Sequence, residues 1–159
     1  MEKAFDRVWH TGLLTKILDT TTPPALLRVL ASFLEGRSFY VSVEGVDFQL
    51  RPIRAGVPQG SCLSPRLYAA YTDDIPTLRD HLREGEEDVL LALYADDSAY
   101  FASSYHNIVA TNTMQRLLDL LPEWLDKWRI AVNVRKTAAQ LTGISRPRRQ
   151  LKLRGQDVE

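Results

Sequence analysis

Two adjacent acids, Asp96 and Asp97, sit inside an otherwise apolar run from Val89 to Phe101. Neighbouring carboxylates repel each other, and successive side chains of a strand point to opposite faces. Carrying two acids out of such a run is costly unless water or a cation stands close. Magnesium is the natural counter-charge, because it takes a few carboxylates together with water and substrate phosphates. The plain alternative is a solvated Asp-Asp hairpin turn, since Asp is a common turn residue. In both readings the run is a buried strand, a tight turn at the acids and a second strand.

A second motif, Gly56-Val57-Pro58-Gln59-Gly60-Ser61, also has chemical potential. Two glycines around Pro and Gln make a rigid loop whose backbone can come close to a ligand. Gln59 carries both a donor and an acceptor, which suits a sugar hydroxyl or a base edge. Its plain alternative is a Gly-Pro turn that leads into a helix.

These residues need elements to hold them. Leu13 to Leu18 is apolar enough for a short helix, ended by Thr20-Thr21-Thr22-Pro23-Pro24. A second helix is expected from Pro24 to Leu34, because proline suits a first helical turn and Leu26, Leu27, Leu30, Phe33 and Leu34 have helical spacing. Phe39, Val41 and Val43 alternate with polar neighbours, Glu44-Gly45 supplies a turn, and Phe48 and Leu50 lie on the return. A third helix is expected from Leu63 to Ile75, with Ser64-Pro65 at its start. A long amphipathic helix follows from Asn107 to Trp128, with Met114, Leu117, Leu118, Leu121, Trp124, Leu125 and Trp128 on its core face. Pro122 should kink or split it. Ile130, Val132 and Val134 alternate like a short strand, and Leu141 extends a partner. Beyond Ser145 the pattern fades. The order predicts an α+β fold, an antiparallel sheet backed by helices.

Composition narrows the classes. At 159 residues the chain is one domain's worth, and its formal net charge is zero. The charge is uneven. Arg135, Lys136, Arg146, Arg148, Arg149, Lys152 and Arg154 occupy a stretch without acids, while Asp80 to Asp88 is acidic. The basic stretch reads equally as a solvated tail or as a phosphate-contacting surface. The single cysteine, Cys62, cannot form an internal disulfide, which points to a reducing, intracellular setting and a structural thiol. No apolar run reaches the length of a membrane span.

In order along the chain, Gly56 to Ser61, Tyr94-Ala95-Asp96-Asp97, and Trp128 to Asn133 leading to Lys136-Thr137 resemble the palm of reverse transcriptases. Glu2 to His10 resembles the first palm motif of non-LTR retrotransposon enzymes, jockey-like insect elements above all. Leu34-Glu35-Gly36-Arg37 is similar to that family's connecting segment. The resemblance implies an RNA-directed DNA polymerase working on an RNA template, a DNA primer and a deoxynucleoside triphosphate. It implies two magnesium ions, with manganese as the alternative, about 3.5–4 Å apart. By resemblance Asp96 is the main metal ligand and Asp97 the supporting one. Phe5 falls where an aromatic crowds the sugar 2′ position, and the same ring can serve the core. Gln59 and Gly60 match the loop that positions nucleotide and template. Lys136 matches a lysine near the triphosphate, where a cation could stabilise or protonate the leaving pyrophosphate. A surface lysine is its plain alternative. Asp6 is expected to be structural, with Trp9 packing and His10 at the surface.

The resemblance has gaps. The family's first motif reads Asp, a hydrophobic residue, Glu, Lys, Ala, Phe, Asp, and its metal-binding Asp would immediately precede Met1. On an extended strand Asp6 faces away from Phe5, so it cannot replace that ligand without a register shift. The expectation is therefore a palm fragment, with a partial palm over residues 1–143 and a basic segment over 144–159 leading toward a thumb. Fingers and thumb are expected to be missing, and the chain alone is expected not to catalyse extension. The alternative is an inactive retrotransposon remnant acting at most as a nucleic-acid-binding or scaffold piece. A metal-dependent phosphatase or nuclease would also use paired acids, but it leaves the Pro-Gln-Gly loop unexplained.

Overall fold

The computed structural model describes residues 4–78, 89–94, 97–142 and 150–159. They fall into two compact units, one within Lys3–Asp73 and one within Asp74–Glu159. The acidic connection from Asp80 to Asp88 lies outside the described residues, as do Arg146, Arg148 and Arg149 of the basic stretch.

In the first unit, Phe5–Arg7 form a 3-10 turn, with the Arg7 N–H reaching the Ala4 carbonyl at 3.4 Å. This corrects the extended strand expected there. A strand needs a partner strand, whereas here the Phe5 and Val8 carbonyls accept from a loop, the N–H groups of Val57 and Gly56 at 2.8 Å each. Helix α1 (His10–Leu18) starts earlier than its apolar run and buries Gly12, Leu13 and Ile17. Gly12 is required because the Trp9 ring lies against it, and an added Cβ would sit 2.5 Å from Trp9 Cε3. Helix α2 (Pro24–Leu34) has the expected bounds, with proline at its first turn and Leu30 and Leu34 buried one turn apart. Both α2 and the helix that follows the Gly-Pro-Gln loop pack on α1.

The expected hairpin consists of β1 (Ser38–Phe39), β2 (Ser42–Val43), β3 (Val46–Asp47) and β4 (Arg51–Pro52). Glu44 and Gly45 have φ of 52° and 80°, the left-handed pair that a two-residue I′ turn requires. Val43 faces Val46 at the tip, and Phe39 faces Arg51 at the base. Between the two registers residues 40–41 stand opposite residues 48–50, so the return strand carries one extra residue, a bulge. Helix α3 (Ser64–Thr72) follows the Gly-Pro-Gln loop and ends before Ile75. It buries Leu67, Tyr68, Tyr71 and Thr72.

In the second unit, β5 (Leu90–Tyr94) and β6 (Asp97–Phe101) pair antiparallel from Leu90 opposite Phe101 to Tyr94 opposite Asp97. The strand–turn–strand expectation holds for the strands, but their burial does not. Leu90 is 66% exposed and Phe101 56%. Two strands alone cannot cover both of their faces, so a run apolar on both sides leaves one side open. The covered side is held by Tyr100, which joins Ala102 and Met114 around buried Leu78, Val89 and Leu117.

Helix α4 (Asn107–Lys127) runs through Pro122 without the split that was an expected outcome. Leu117, Leu118, Leu121, Trp124 and Leu125 are buried along it, and the Trp124 indole N–H donates to Asp74 Oδ1 at 2.9 Å. Its end is a Schellman motif: Arg129 N–H donates to Asp126 and Ile130 N–H to Leu125, with Arg129 at φ 55°. Residues 130–134 do not form the expected strand. Val134–Lys136 make a 3-10 turn instead, closed by Lys136 N–H and the Thr137 hydroxyl on the Asn133 carbonyl, both at 3.1 Å. Alternation alone does not make a strand when the backbone groups close locally.

The sequence pattern fades from Ser145 onward, yet β7 (Lys152–Leu153) and β8 (Gln156–Asp157) form a hairpin over Arg154 and Gly155, at φ 53° and 75°. Leu153 and Val158 are buried, and β7 packs on α4. The described end of the basic stretch is therefore not a free tail. Among the described residues the sheets are four separate antiparallel pairs rather than one sheet, within an α+β whole.

Candidate functional site

The candidate residues divide between the two units. Phe5, Gln59 and Gly60 belong to the first, and Asp97 and Lys136 to the second. Asp96, the expected main metal ligand, lies outside the described residues.

In the first unit the Gly-Pro-Gln loop is fastened to the segment that carries Phe5. Gly56 and Val57 donate their backbone N–H groups to Val8 and Phe5, and His10 Nε2 lies 2.8 Å from the Gly56 carbonyl. As donor, the His10 ring ties the first turn of α1 to the loop. Gly56 has φ +90°, and a Cβ on it would meet the Asp6 carbonyl oxygen at 2.8 Å and Asp6 Cα at 2.9 Å. The close approach expected of this glycine is thus to the protein's own backbone. Gly60 differs: at φ +82° it needs the left-handed region, but nothing stands within 4 Å of an added Cβ.

The other end of the loop is held by α3. The Ser64 hydroxyl, buried at the helix start, donates to the Pro58 carbonyl at 2.5 Å, and Ser61 N–H reaches the same carbonyl at 3.3 Å. Between these anchors the exposed Gln59 Nε2 donates to Asp6 Oδ1 at 3.0 Å. Phe5 is half-buried, its ring stacked on Tyr68 of α3 at 4.9 Å between centroids and 27° between planes. One loop, one 3-10 turn and one helix therefore bring Phe5 and Gln59 onto the same support. Sequence reasoning missed the partners Asp6 and His10. It placed Asp6 as structural and His10 at the surface, and nothing in one chain's spacing links either to a loop some 50 residues on. Cys62, in the next turn, is a free, exposed thiol rather than a packed one.

In the second unit Asp97 opens β6 opposite Tyr94, and its carboxylate is exposed. Lys136 ends its 3-10 turn with an exposed side chain. The described residues contain no group of three His, Cys, Asp or Glu that could hold a metal ion. Asp97 offers the hard oxygen donor that magnesium takes, so the chemistry of the described acid fits such an ion. Two cations of the basic stretch already face acids: Lys152 lies 3.8 Å from Asp157, and Arg154 pairs with Asp126. No helix among the described residues is long and apolar enough to cross a membrane.

The family described as reverse transcriptase (RNA-dependent DNA polymerase) matches residues 1–156. The RNA-directed DNA polymerase from mobile element jockey of Drosophila melanogaster is 46% identical over 138 residues, 87% of this chain and 15% of the relative. The polymerase of the same description from Drosophila funebris is 42% identical over 138 residues, with the same shares of 87% and 15%. The probable RNA-directed DNA polymerase from transposon BS of Drosophila melanogaster is 42% identical over 137 residues, 86% of this chain and 15% of the relative. The chain thus spans about 15% of the length of these relatives.

Proposed function

The chain belongs to the reverse transcriptase family, and from that premise we propose that it is palm sequence of a non-LTR retrotransposon polymerase. The polymerase adds deoxynucleotides to a DNA 3′ end, and its partners are an RNA template, a DNA primer and a deoxynucleoside triphosphate. Asp96 and Asp97 would hold two magnesium ions, or manganese in their place, because paired carboxylate oxygens are the donors such ions take. Ions held there would supply charge neutralisation at the reacting phosphate and would favour the attacking oxygen.

Further residues of the chain handle the nucleotide. Phe5 presents its ring to the sugar from a stack that limits its movement. Gln59 and Gly60 form the nucleotide-facing part of the loop. Lys136 supplies a cation for the triphosphate. With its single cysteine reduced, the protein suits an intracellular setting.

The observation that supports this reading best is the joining of the two nucleotide motifs: Val57 N–H on the Phe5 carbonyl, with Gln59 on Asp6. A chimera tests it. The chain replaces its matching segment in the Drosophila melanogaster jockey polymerase, and RNA-templated extension of a DNA primer is measured with magnesium. Extension that an Asp96→Ala, Asp97→Ala chimera lacks is the expected result. A folded chimera that extends nothing beside an active parent would overturn the proposal.

A further inference from the structure

We infer that one face of the β1–β4 hairpin is an interface with a second copy of this chain, the two hairpins packed face to face and antiparallel. Side chains alternate along a strand, and residues opposite each other share a face. Val43 stands opposite Val46, and Phe39 opposite Arg51. Between them Phe48 N–H donates to the Val41 carbonyl at 2.8 Å. Phe39, Val41, Val43, Val46 and Phe48 therefore share one face, while Ser38, Ser42 and Asp47 lie on the other. The apolar face is open, from 47% exposure at Phe39 to 62% at Val46. Its free surface is on the order of 400 Å², the size at which a patch marks an interaction site.

Charge selects the occupant. From Ser38 to Leu50 the hairpin has no Lys or Arg, and its tip carries Glu44 with Asp47 close behind. The base carries Arg37, Arg51 and Arg54. No ion pair within the described residues holds any of these charges. The hairpin is thus acidic at one end and basic at the other, with the apolar face between. A two-fold axis normal to that face sets each tip against the base of the other copy, opposite charges at both ends, and covers each apolar face with its twin. A two-fold axis along the hairpins would set tip on tip and bring like charges together. A polyanion would suit the arginines but press its phosphates on the acids of the tip. Each copy's patch is about half of the ~800 Å² that a partner covers in a stable complex, so the charged ends complete the contact and the dimer is a weak one. The contact stands apart from the nucleotide-binding reading.

Sedimentation of the full 159-residue chain over a concentration series tests this, with urea unfolding to check the fold of each variant. The wild-type chain should dimerise in a concentration-dependent way. Phe48→Ser, at an exposed position, should keep the fold and weaken the dimer at least about tenfold, because two-fold symmetry removes the ring from both sides of the contact. Glu44→Lys and Arg51→Glu each bring like charges together at both ends of the contact and should each weaken it about tenfold. The double variant Glu44→Lys, Arg51→Glu exchanges the two charges within one chain and should bind itself more tightly than either single variant. A merely structural role for these residues gives no such recovery.

A wild-type chain that stays monomeric throughout overturns the inference. So does a monomer that binds single-stranded RNA and loses it in Arg51→Glu, which would give the hairpin to a nucleic acid. A dimer that folded Phe48→Ser leaves unchanged lies elsewhere on the chain and overturns it as well. If Phe48→Ser does not fold, the charge variants decide: a folded double variant without recovery overturns the inference.

Discussion

Gln115 and Lys152 exchange two hydrogen bonds. Gln115 Nε2 donates to the Lys152 carbonyl at 2.9 Å, and Lys152 N–H donates to Gln115 Oε1 at 2.8 Å. A side-chain amide from the middle of α4 thereby acts as the partner that an edge strand lacks, and it is 93% buried in doing so, with 7% exposure. The same amide also donates to Asp119 one turn along the helix, at 2.7 Å. With Leu153 and Val158 buried beside it, this contact docks the last hairpin of the chain on α4.

Gln115→Leu should therefore destabilise the protein by about 2 kcal/mol, since it leaves two backbone groups without their partner. It should also remove exchange protection from the Lys152 amide. Gln115→Glu sets a buried carboxylate against Asp119 and the Lys152 carbonyl, and at neutral pH should destabilise at least as much. Urea unfolding and amide hydrogen exchange read both effects. Full protection of Lys152 in Gln115→Leu would show that the hairpin docks by its apolar side chains alone.

Gly56 and Gly60 give a matched pair. Both need a left-handed backbone, but only Gly56 is pressed against another chain segment. Gly60→Ala should cost about 1–2 kcal/mol, the penalty of that conformation. Gly56→Ala adds a clash with the Asp6 backbone that no rotamer relieves, for a total of about 3 kcal/mol. Equal losses in denaturant unfolding would contradict the close approach.

The contrast between these glycines shows what the sequence could disclose. Helix α2 was legible to its ends because proline at the first turn and Leu30 and Leu34 at helical spacing agree. The Glu44-Gly45 turn was legible from alternation on both sides of it. The hairpin at Lys152–Asp157 was not, because its strands are two residues long and Arg154 occupies a left-handed position that glycine usually marks. Ile130 to Val134 alternate as a strand does, yet the Schellman ending of α4 and the Asn133 carbonyl use the backbone groups a strand would need. For the candidate site, the motifs named the residues but not their supports. Asp6 and Gln59 are 53 positions apart, and their bond depends on a fold that single-chain spacing does not reveal.

Tyr100 makes a prediction about alkaline pH. Burial pushes its phenol well above the ordinary tyrosine value, because the phenolate would lose its hydration. Its hydroxyl donates to the Pro76 carbonyl at 3.4 Å. The folded state then keeps a proton that the unfolded chain gives up near pH 10. Stability from this source is fully present below about pH 10 and declines as pH rises beyond it. Tyr100→Phe should unfold less steeply with pH above 10 than the wild-type chain. Parallel pH profiles for the two proteins would sink this account.

Asp97 separates function from stability. Its carboxylate is exposed at the first position of β6, so Asp97→Asn should change unfolding free energy by no more than about 0.5 kcal/mol. Under the proposed function the same carboxylate helps hold the metal, and neutralising it should weaken magnesium-dependent binding of a deoxynucleoside triphosphate at least about tenfold. Binding measured in excess chelator should be the same for both proteins, because the metal contribution is absent there. The decisive comparison is nucleotide affinity across a magnesium titration. If Asp97→Asn keeps the wild-type dependence while remaining folded, the acid serves the turn and not the metal.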